Sequence, residues 1–424
     1  MTNKNMKKSI CLMLLAMTGS NYSFAQQATI VVTNPTTLPR TELISVSLSD
    51  VKAKLAGITP KKGEAYVVKN KAGQQIGSQI THDGQLLIDA SVRPHGSATY
   101  TVSIGKPYPQ KVWTTGALYK IRKDDIAWEN DRCAYRVYGP ALQRTGERSF
   151  GTDIWVKNTP DTVVYDRYIK DMQGNIDGDK VDKLAKAAKT EAQRKKLETK
   201  SREIDLTTSF HLDHGNGLDP YRVGATLGLG APGLMVGKDL VLPYCYKTYR
   251  ILDNGPLRFT VELTYNPSTV GDMQNVVEHR IISLDKGSNF NRMTVWYEGL
   301  THATDFVTGF PIHEEDTESK TFAKDYVSYA DPTDNQEINQ SQVYVAVLFP
   351  EGVDNTYYQL FAKKHDGATG HALGLKRALK NGERYSYCFG AAWSKYDVKS
   401  YTEWQIRIKE YLETLKSPLK IVLK

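Results

Sequence analysis

The sequence predicts a mainly β protein, and three observations predict it. Apolar and polar residues alternate with a period of two over many short runs, turn residues separate those runs, and strands do not alternate with helices in the βαβ manner. With 424 residues, 40% hydrophobic and 24% charged, the chain has a globular composition. Disorder, collagen-like repeats and coiled coil are thereby excluded as the whole account. The length allows one large β-rich unit or two to three ordinary ones.

The first segment is a targeting signal rather than part of the fold. Lys4, Lys7 and Lys8 precede an apolar run at 10–17, and Ser23, Phe24 and Ala25 close it in a small-x-small pattern, so residues 1–25 read as a secretory signal peptide. The run is too short to span a bilayer, which takes about 20 residues, and no other stretch qualifies as a transmembrane segment. The expectation is a periplasmic or secreted protein that begins near Gln26. Without those three lysines the formal charge of +8 becomes +5. Much of this excess lies at 180–202, so basicity is local and nucleic acid is not the expected partner.

Residues 26–108 predict a small β-sandwich, with β-branched or alternating runs at 28–33, 65–68, 86–90 and 98–104, and KPYP at 106–109 as the linker after it. From 109 to 424 the runs lengthen and gain aromatic residues, at 134–138, 257–265, 276–284, 289–297, 343–349 and 385–391. They predict a large antiparallel sheet system with one wet face. Two helices interrupt it. An insertion near 178–205 is rich in Lys, Ala and Glu with few large apolar residues. It is either a solvated insertion or a lid over an acidic ligand. At 398–415, Tyr401, Trp404, Ile408, Tyr411 and Leu412 recur at spacings of three and four, the pattern of an amphipathic closing helix. Neither a GxGxxG nor a Walker sequence occurs, which argues against nucleotide chemistry. Cys133, Cys245 and Cys388 form no CxxC pair. A zinc ribbon is excluded, while three buried thiols or one disulfide both stay open.

Chemistry concentrates at 210–222, where His211, Asp213, His214, Tyr221 and Arg222 lie among glycines. If 209–213 is extended, His211 and Asp213 share a face. His211, His214 and Tyr221 are the candidate proton-transfer group. No cofactor is required by the pattern, and a divalent metal on His211, Asp213 and His214 stays open. The alternative is a loop whose Asp and Asn cap turns. A second group mixes acids and bases around one aromatic: Asp125, Trp128, Glu129, Asn130, Asp131, Arg132 and then Arg136. Trp128 either stacks on a sugar ring or sits in the core, and Arg132 suits two-pronged contact with a carboxylate or sulfate. Trp155, Arg222 and His313 complete the candidate substrate-binding set, with Trp155 on a rim strand where a tryptophan is more often core than platform. Glu278 and His279 are strand neighbours that point to opposite faces and cannot both enter one site; for such a pair a solvated face is the expectation. HExxH and GxSxG are absent, so a zinc protease and a serine-hydrolase elbow lack support. The inventory suits an acidic glycan best. A base that removes the proton beside a uronate carboxylate could drive elimination, whereas hydrolysis needs two carboxyl groups across the bond.

Four ordered segments carry a family resemblance: WENDRCAYRVYGP at 128–140, GTDIWVK at 151–157, HLDHGNGLDPYRVG at 211–224 and DNGPLR at 253–258. Over nearly all of the mature chain they resemble a secreted bacterial family catalogued as domain of unknown function 4861. The resemblance implies a role in polysaccharide utilisation. It also implies similarity to an ulvan oligosaccharide dehydratase, which removes water from a terminal uronic acid, and a galactose-mutarotase-like β-supersandwich, the fold of many polysaccharide lyases. The expected function is therefore an exported dehydratase or lyase acting on uronate-containing oligosaccharides. A glycoside hydrolase, a mutarotase or epimerase, and a non-catalytic glycan-binding protein are the alternatives. The basic stretch at 180–204 is longer than the family pattern.

Overall fold

The computed structural model describes residues 26–314, 319–333 and 341–424; the signal-peptide expectation for 1–25 lies outside them. The protein is mainly β, in antiparallel sheets. The N-terminal strands form a four-stranded and a three-stranded sheet. The first runs in the order Lys420–Leu423, Ala28–Thr33, Ser97–Gly105, Ala65–Asn70, and the second Arg40–Ser47, Gln85–Val92, Ser78–Ile80. Their inward residues, among them Ile30, Val46, Val68, Ile88 and Val102, make a core of their own. One boundary is corrected here: the last strand of the chain pairs Leu423 with Ile30 and so belongs to the N-terminal sheet, not to the 109–424 unit. Four residues after Pro418 carry too short a pattern to reveal a partner nearly the whole chain away. Helix Leu48–Lys54, capped by the Ser47 hydroxyl, is also absent from the sequence expectation, because two turns show little periodicity.

The remainder is a sandwich. One wall is a nine-stranded sheet whose main path runs Tyr246–Asn254, Arg258–Tyr265, Met273–Asp285, Phe290–Glu298, Tyr385–Trp393, Val343–Leu348, Tyr326–Asp331, Lys320–Phe322. Opposite lie a five-stranded sheet centred on Thr304–Ile312 and a four-stranded sheet ordered Thr152–Val156, Cys133–Val137, Asp125–Glu129, Thr115–Tyr119. Inward side chains from all three, such as Tyr135, Ile154, Ile282, Phe306, Val345 and Phe389, fill one core. The expected closing helix runs Tyr401–Lys416 and lays Trp404, Ile408 and Leu412 on the outer face of the nine-stranded sheet. Glu278 is not solvated. With Arg280 it is buried, at 2.5 Å, and it accepts a hydrogen bond from the Tyr297 hydroxyl. His279 points the other way and stacks on Trp296. Cys133, Cys245 and Cys388 are free and buried, and among the described residues no helix is long and apolar enough to cross a membrane.

The helical insertion is larger than expected. It is a hairpin of Val164–Lys186 and Glu191–Thr208, not one segment from 178. Its seam is built from small residues: Gly174, Gly178, Val181 and Ala185 at spacings of four, three and four meet a second helix whose half-buried positions are Leu197, Ser201, Ile204 and Thr208. A stripe of glycine and alanine gives almost no hydrophobic signal, which is why the first helix escapes notice. Contact is tight enough that a Cβ on Gly174 would lie 1.9 Å from Thr208 Oγ1. Gly174→Leu is expected to splay the hairpin, at a cost of about 1–3 kcal/mol, read as faster limited proteolysis across 164–208.

Candidate active site

Side-chain alternation in the four-stranded sheet sorts its residues onto two faces. Ile126, Trp128, Cys133, Tyr135, Ile154 and Val156 enter the sandwich core. The opposite face carries Asp125, Ala127, Arg136, Asp153 and Trp155, and it is covered by Val164 and Tyr168 from the hairpin and by Phe210. Glu129 seats that cover. Its carboxylate accepts hydrogen bonds from the Val163 and Val164 amides, at 2.9–3.0 Å, and from Lys157 Nζ at 2.8 Å. It thus caps the first turn of the helix with a negative charge.

Arg136 is the hub beneath this cover. Directly across the strand pair from Asp153, it donates to Asp153 Oδ2 at 2.5 Å and to Asp219 Oδ2 at 2.7 Å, and its Nη1 lies 3.5 Å from Asp125 Oδ2. One buried guanidinium therefore faces three buried carboxyl groups. The imbalance appears in their proton affinities. Burial pushes Asp153 up to about 7, with the Asp219 charge adding to it and Arg136 opposing. Burial pushes Asp125 up to about 6 against the pull of Arg136. Burial is the largest influence on Arg136 and lowers it, but Asp153, Tyr138, Asp219 and Tyr168 together hold it well above its usual value. Nearby Arg167, 6% exposed, donates to Asn216 through Nη2 while its Nε and Nη1 have no partner among the described residues. Burial lowers it to about 10.

The cluster continues through Tyr221, whose phenol feels Asp153 and Tyr138 on one side and Asp331 and Tyr329 on the other. Its hydroxyl is buried without a hydrogen-bond partner among the described residues, and burial drives it well above the usual phenol range. The Tyr221 ring meets His313 edge to face, with centroids 5.8 Å apart. Asp331 Oδ2 holds His313 Nδ1 at 2.6 Å, and Asp331 Oδ1 accepts from the Thr333 amide. Burial depresses the imidazole, yet the Asp331 carboxylate outweighs it and the net shift is upward. His313 Nε2 makes no hydrogen bond of good geometry among the described residues, although the Arg222 backbone lies close enough to raise the imidazole further. Arg222 is exposed beside this pair, and its charge acts on His313.

The loop at 209–217 forms the rim. His211 Nδ1 lies 3.1 Å from the Asp219 carbonyl. A carbonyl only accepts, so Nδ1 donates, and in the neutral ring Nε2 is the acceptor; the side chain is 58% exposed. His214 donates through Nε2 to the Ser209 carbonyl at 2.8 Å. Gly217, at φ +100°, lies so close to the neighbouring strand that a Cβ would sit 2.0 Å from the Val156 oxygen, so only glycine fits.

A family model described as Domain of unknown function (DUF4861) matches residues 32–421. The chain belongs to the DUF4861 family. Among curated proteins it is similar to "Uncharacterized protein P7" of Formosa agariphila, 24% identical over 442 aligned positions that cover 98% of this chain and 99% of that one. Among solved structures it is similar to an α-mannosidase from Enterococcus faecalis V583, with TM-score 0.46, 10% identity and coverage of 94% of this chain and 46% of that one. A glycosyl hydrolase family 38 protein from Enterococcus faecalis gives TM-score 0.48 and 8% identity, with 94% and 47% covered. The chain spans about half the length of these two structures.

In this DUF4861 chain the predicted site residues divide. Tyr221, His313, Arg222 and His211 lie around the buried cluster, with His214 bracing the rim. Others are corrected. Residues 209–213 are not a strand, and Asp213 accepts from the Gly215 and Gly217 amides as a turn cap. Among the described residues no group of three or more His, Cys, Asp or Glu could hold a metal, so His211, Asp213 and His214 do not assemble as ligands. Trp128 is core: it stacks between Tyr135 and Phe259 and donates to Asn291 Oδ1 at 2.8 Å. Asn130 is spent on the Asp285 and Ser288 carbonyls and the Arg132 and Cys133 amides. Arg132 pairs with Asp397 and the Gly287 carbonyl, away from this cluster. Trp155 is 1% exposed and lies beneath Arg136 and Arg167, closed to a sugar ring. Missing from the sequence-predicted set are Asp153, Arg167, Asp219 and Asp331. Asp331 had a signal, since it ends the buried strand YVSYAD with a charge. Arg167 had none, because its helix was itself unrecognised.

Proposed function

We propose that this DUF4861 protein is an exported carbohydrate-active enzyme of polysaccharide utilisation that eliminates water or a glycosyl group from uronate-containing oligosaccharides. One observation carries the reading: the buried Tyr221 hydroxyl lacks a hydrogen-bond partner among the described residues, and its ring meets His313 edge to face with centroids 5.8 Å apart. Buried polar atoms are ordinarily satisfied, so an unpartnered hydroxyl beside an imidazole and an exposed arginine suits a ligand.

In this reading His313, biased toward the imidazolium by Asp331, and Arg222 neutralise the uronate carboxylate. This acidifies the adjacent C–H and stabilises the enolate-like charge that develops. His211 Nε2 takes that proton as the C–H bond breaks. A carbon–carbon double bond forms, the C–O bond to the leaving group breaks, and its oxygen takes the proton of Tyr221. The raised pKa of the phenol keeps it protonated beforehand, which suits a donor. His214 positions the rim. Hydrolysis fits less well, because Asp125 and Asp153, the carboxyls of this cluster that burial raises, are fully buried around Arg136 and leave no room for a scissile bond between them. The non-catalytic alternative loses its stacking platforms with Trp128 and Trp155 in the interior.

The test is incubation with uronate-terminated oligosaccharides while following the ultraviolet absorbance of the conjugated double bond. Rising absorbance supports elimination. New reducing ends without absorbance would indicate hydrolysis, and anomer exchange with neither would indicate a mutarotase. The pH profile adds a check. His313 binds substrate as a cation, so its contribution is present at low pH and is lost as pH rises through its raised pKa. Asp331→Asn removes that support and is expected to move the alkaline limb to lower pH, with KM rising more than kcat falls.

A further inference from the structure

The chemistry proposed above leaves the far end of the helical hairpin without a role. Helix Glu191–Thr208 has no buried residue. Between 183 and 202 the chain carries eight lysines and arginines against two acids, Glu191 and Glu198, a local charge of +6. All eight are exposed. Arg194 pairs with Glu191 at 3.2 Å, and none of the other seven makes an ion pair among the described residues. Asp179 and Asp182 precede this stretch and Glu203 and Asp205 follow it, so the excess is local to the hairpin tip, where cations packed at this density repel one another. The hairpin is rooted in the candidate site. Its first turns carry Arg167 and Tyr168 against Trp155, and Asp171 accepts from the Phe210 amide.

We propose that the hairpin tip is an electrostatic landing surface for an acidic polysaccharide, holding the polymer next to the site where its terminal uronate is processed; the choice of occupant rests on the uronate reading above. A polyanion gives up bound counterions when it meets such a patch. It therefore binds with an affinity that falls steeply with salt and accumulates near the catalytic cluster. An anionic lipid surface fits less well. A helix lying on a membrane needs a continuous apolar face below its cations, and between 183 and 208 Leu184 and Leu206 are the exposed large hydrophobic side chains.

The probes are polygalacturonate, neutral dextran and phosphatidylglycerol vesicles, with binding measured by titration calorimetry of the full mature chain at low and high salt. Wild-type protein is expected to bind polygalacturonate in a salt-sensitive manner and to ignore dextran. The triple variant Lys195→Glu, Lys196→Glu, Lys200→Glu is expected to weaken this binding roughly tenfold or more at low salt while turning over a short uronate oligosaccharide normally. The corresponding triple glutamine variant, which keeps the helix and removes only charge, should fall between. Equal polygalacturonate binding by wild type and both variants would overturn the proposal, as would binding to vesicles in place of polygalacturonate. Charge-dependent polymer binding without turnover of any uronate would retain the landing surface and remove the elimination reading. Turnover with charge-independent binding would do the reverse.

Discussion

Replacing Arg136 by methionine is expected to destabilise the protein by about 3–5 kcal/mol, because it strips the shared cation from three buried carboxyl groups. Asp153 and Asp219 lose charge-assisted hydrogen bonds of 2.5 and 2.7 Å, and Asp125 loses its nearest cation. The loss should depend on pH in a defined direction. Asp125 and Asp153 already bind protons more tightly in the folded protein, at about 6 and about 7, than an ordinary aspartate does. Their neutral forms thus favour folding at low pH, and that contribution disappears as pH rises through those values. Without Arg136 both must hold protons more tightly still. The variant should therefore fall further below wild type at about pH 8 than at about pH 5. Urea unfolding at the two values measures this; a uniform loss below about 1 kcal/mol would mean that Arg136 is not the electrostatic keystone of this face.

The second large effect is expected at Tyr221. Tyr221→Phe should lower the elimination rate by about 10²–10⁴-fold, the span associated with losing one proton-transfer group. Stability should stay unchanged or rise slightly, because the hydroxyl removed is buried and has no partner among the described residues. That pairing of outcomes separates a chemical role from a structural one. A hydroxyl needed for packing or hydrogen bonding would reduce both quantities together, and a spectator would change neither. Tyr138 and Tyr329 are neighbouring phenols that allow a comparison. Tyr329 accepts from the Glu314 amide at 3.0 Å, so Tyr329→Phe should lose stability before it loses chemistry.

Much of the fold was legible because it obeys a period of two. The strands expected at 257–265, 276–284 and 385–391 occur as Arg258–Tyr265, Met273–Asp285 and Tyr385–Trp393, and Trp404, Ile408 and Leu412 mark the closing helix as their spacing implies. What escaped did so for identifiable reasons. The seam of the hairpin is mostly glycine and alanine, with Val181 its one larger apolar residue, so its first helix has no broad hydrophobic stripe to read. The partner of Lys420–Leu423 lies at the opposite end of the chain. For the candidate site, sequence could flag Tyr221 and His313 by residue type but not join them, since 92 positions separate them and their meeting depends on how the sheets face each other. Trp128 and Asn130 misled for the complementary reason. A motif dense in polar and aromatic residues looks the same whether it binds a ligand or ties a turn to a neighbouring strand, and only partners such as Asn291 and the Asp285 carbonyl distinguish the two.

The central claim is that the buried face around Arg136, Tyr221 and His313 receives an acidic sugar. A crystal structure of Tyr221→Phe soaked with a uronate-terminated oligosaccharide addresses it directly, because the variant binds substrate without consuming it. The account predicts the terminal carboxylate against His313 Nε2 and Arg222, the leaving oxygen beside the position of the missing hydroxyl, and His211 Nε2 facing the carbon next to the carboxylate. Sugar bound elsewhere, for example in the groove of about 600 Å³ between Arg40, Arg132 and Arg407, with the Tyr221 face empty at saturating ligand, would contradict it.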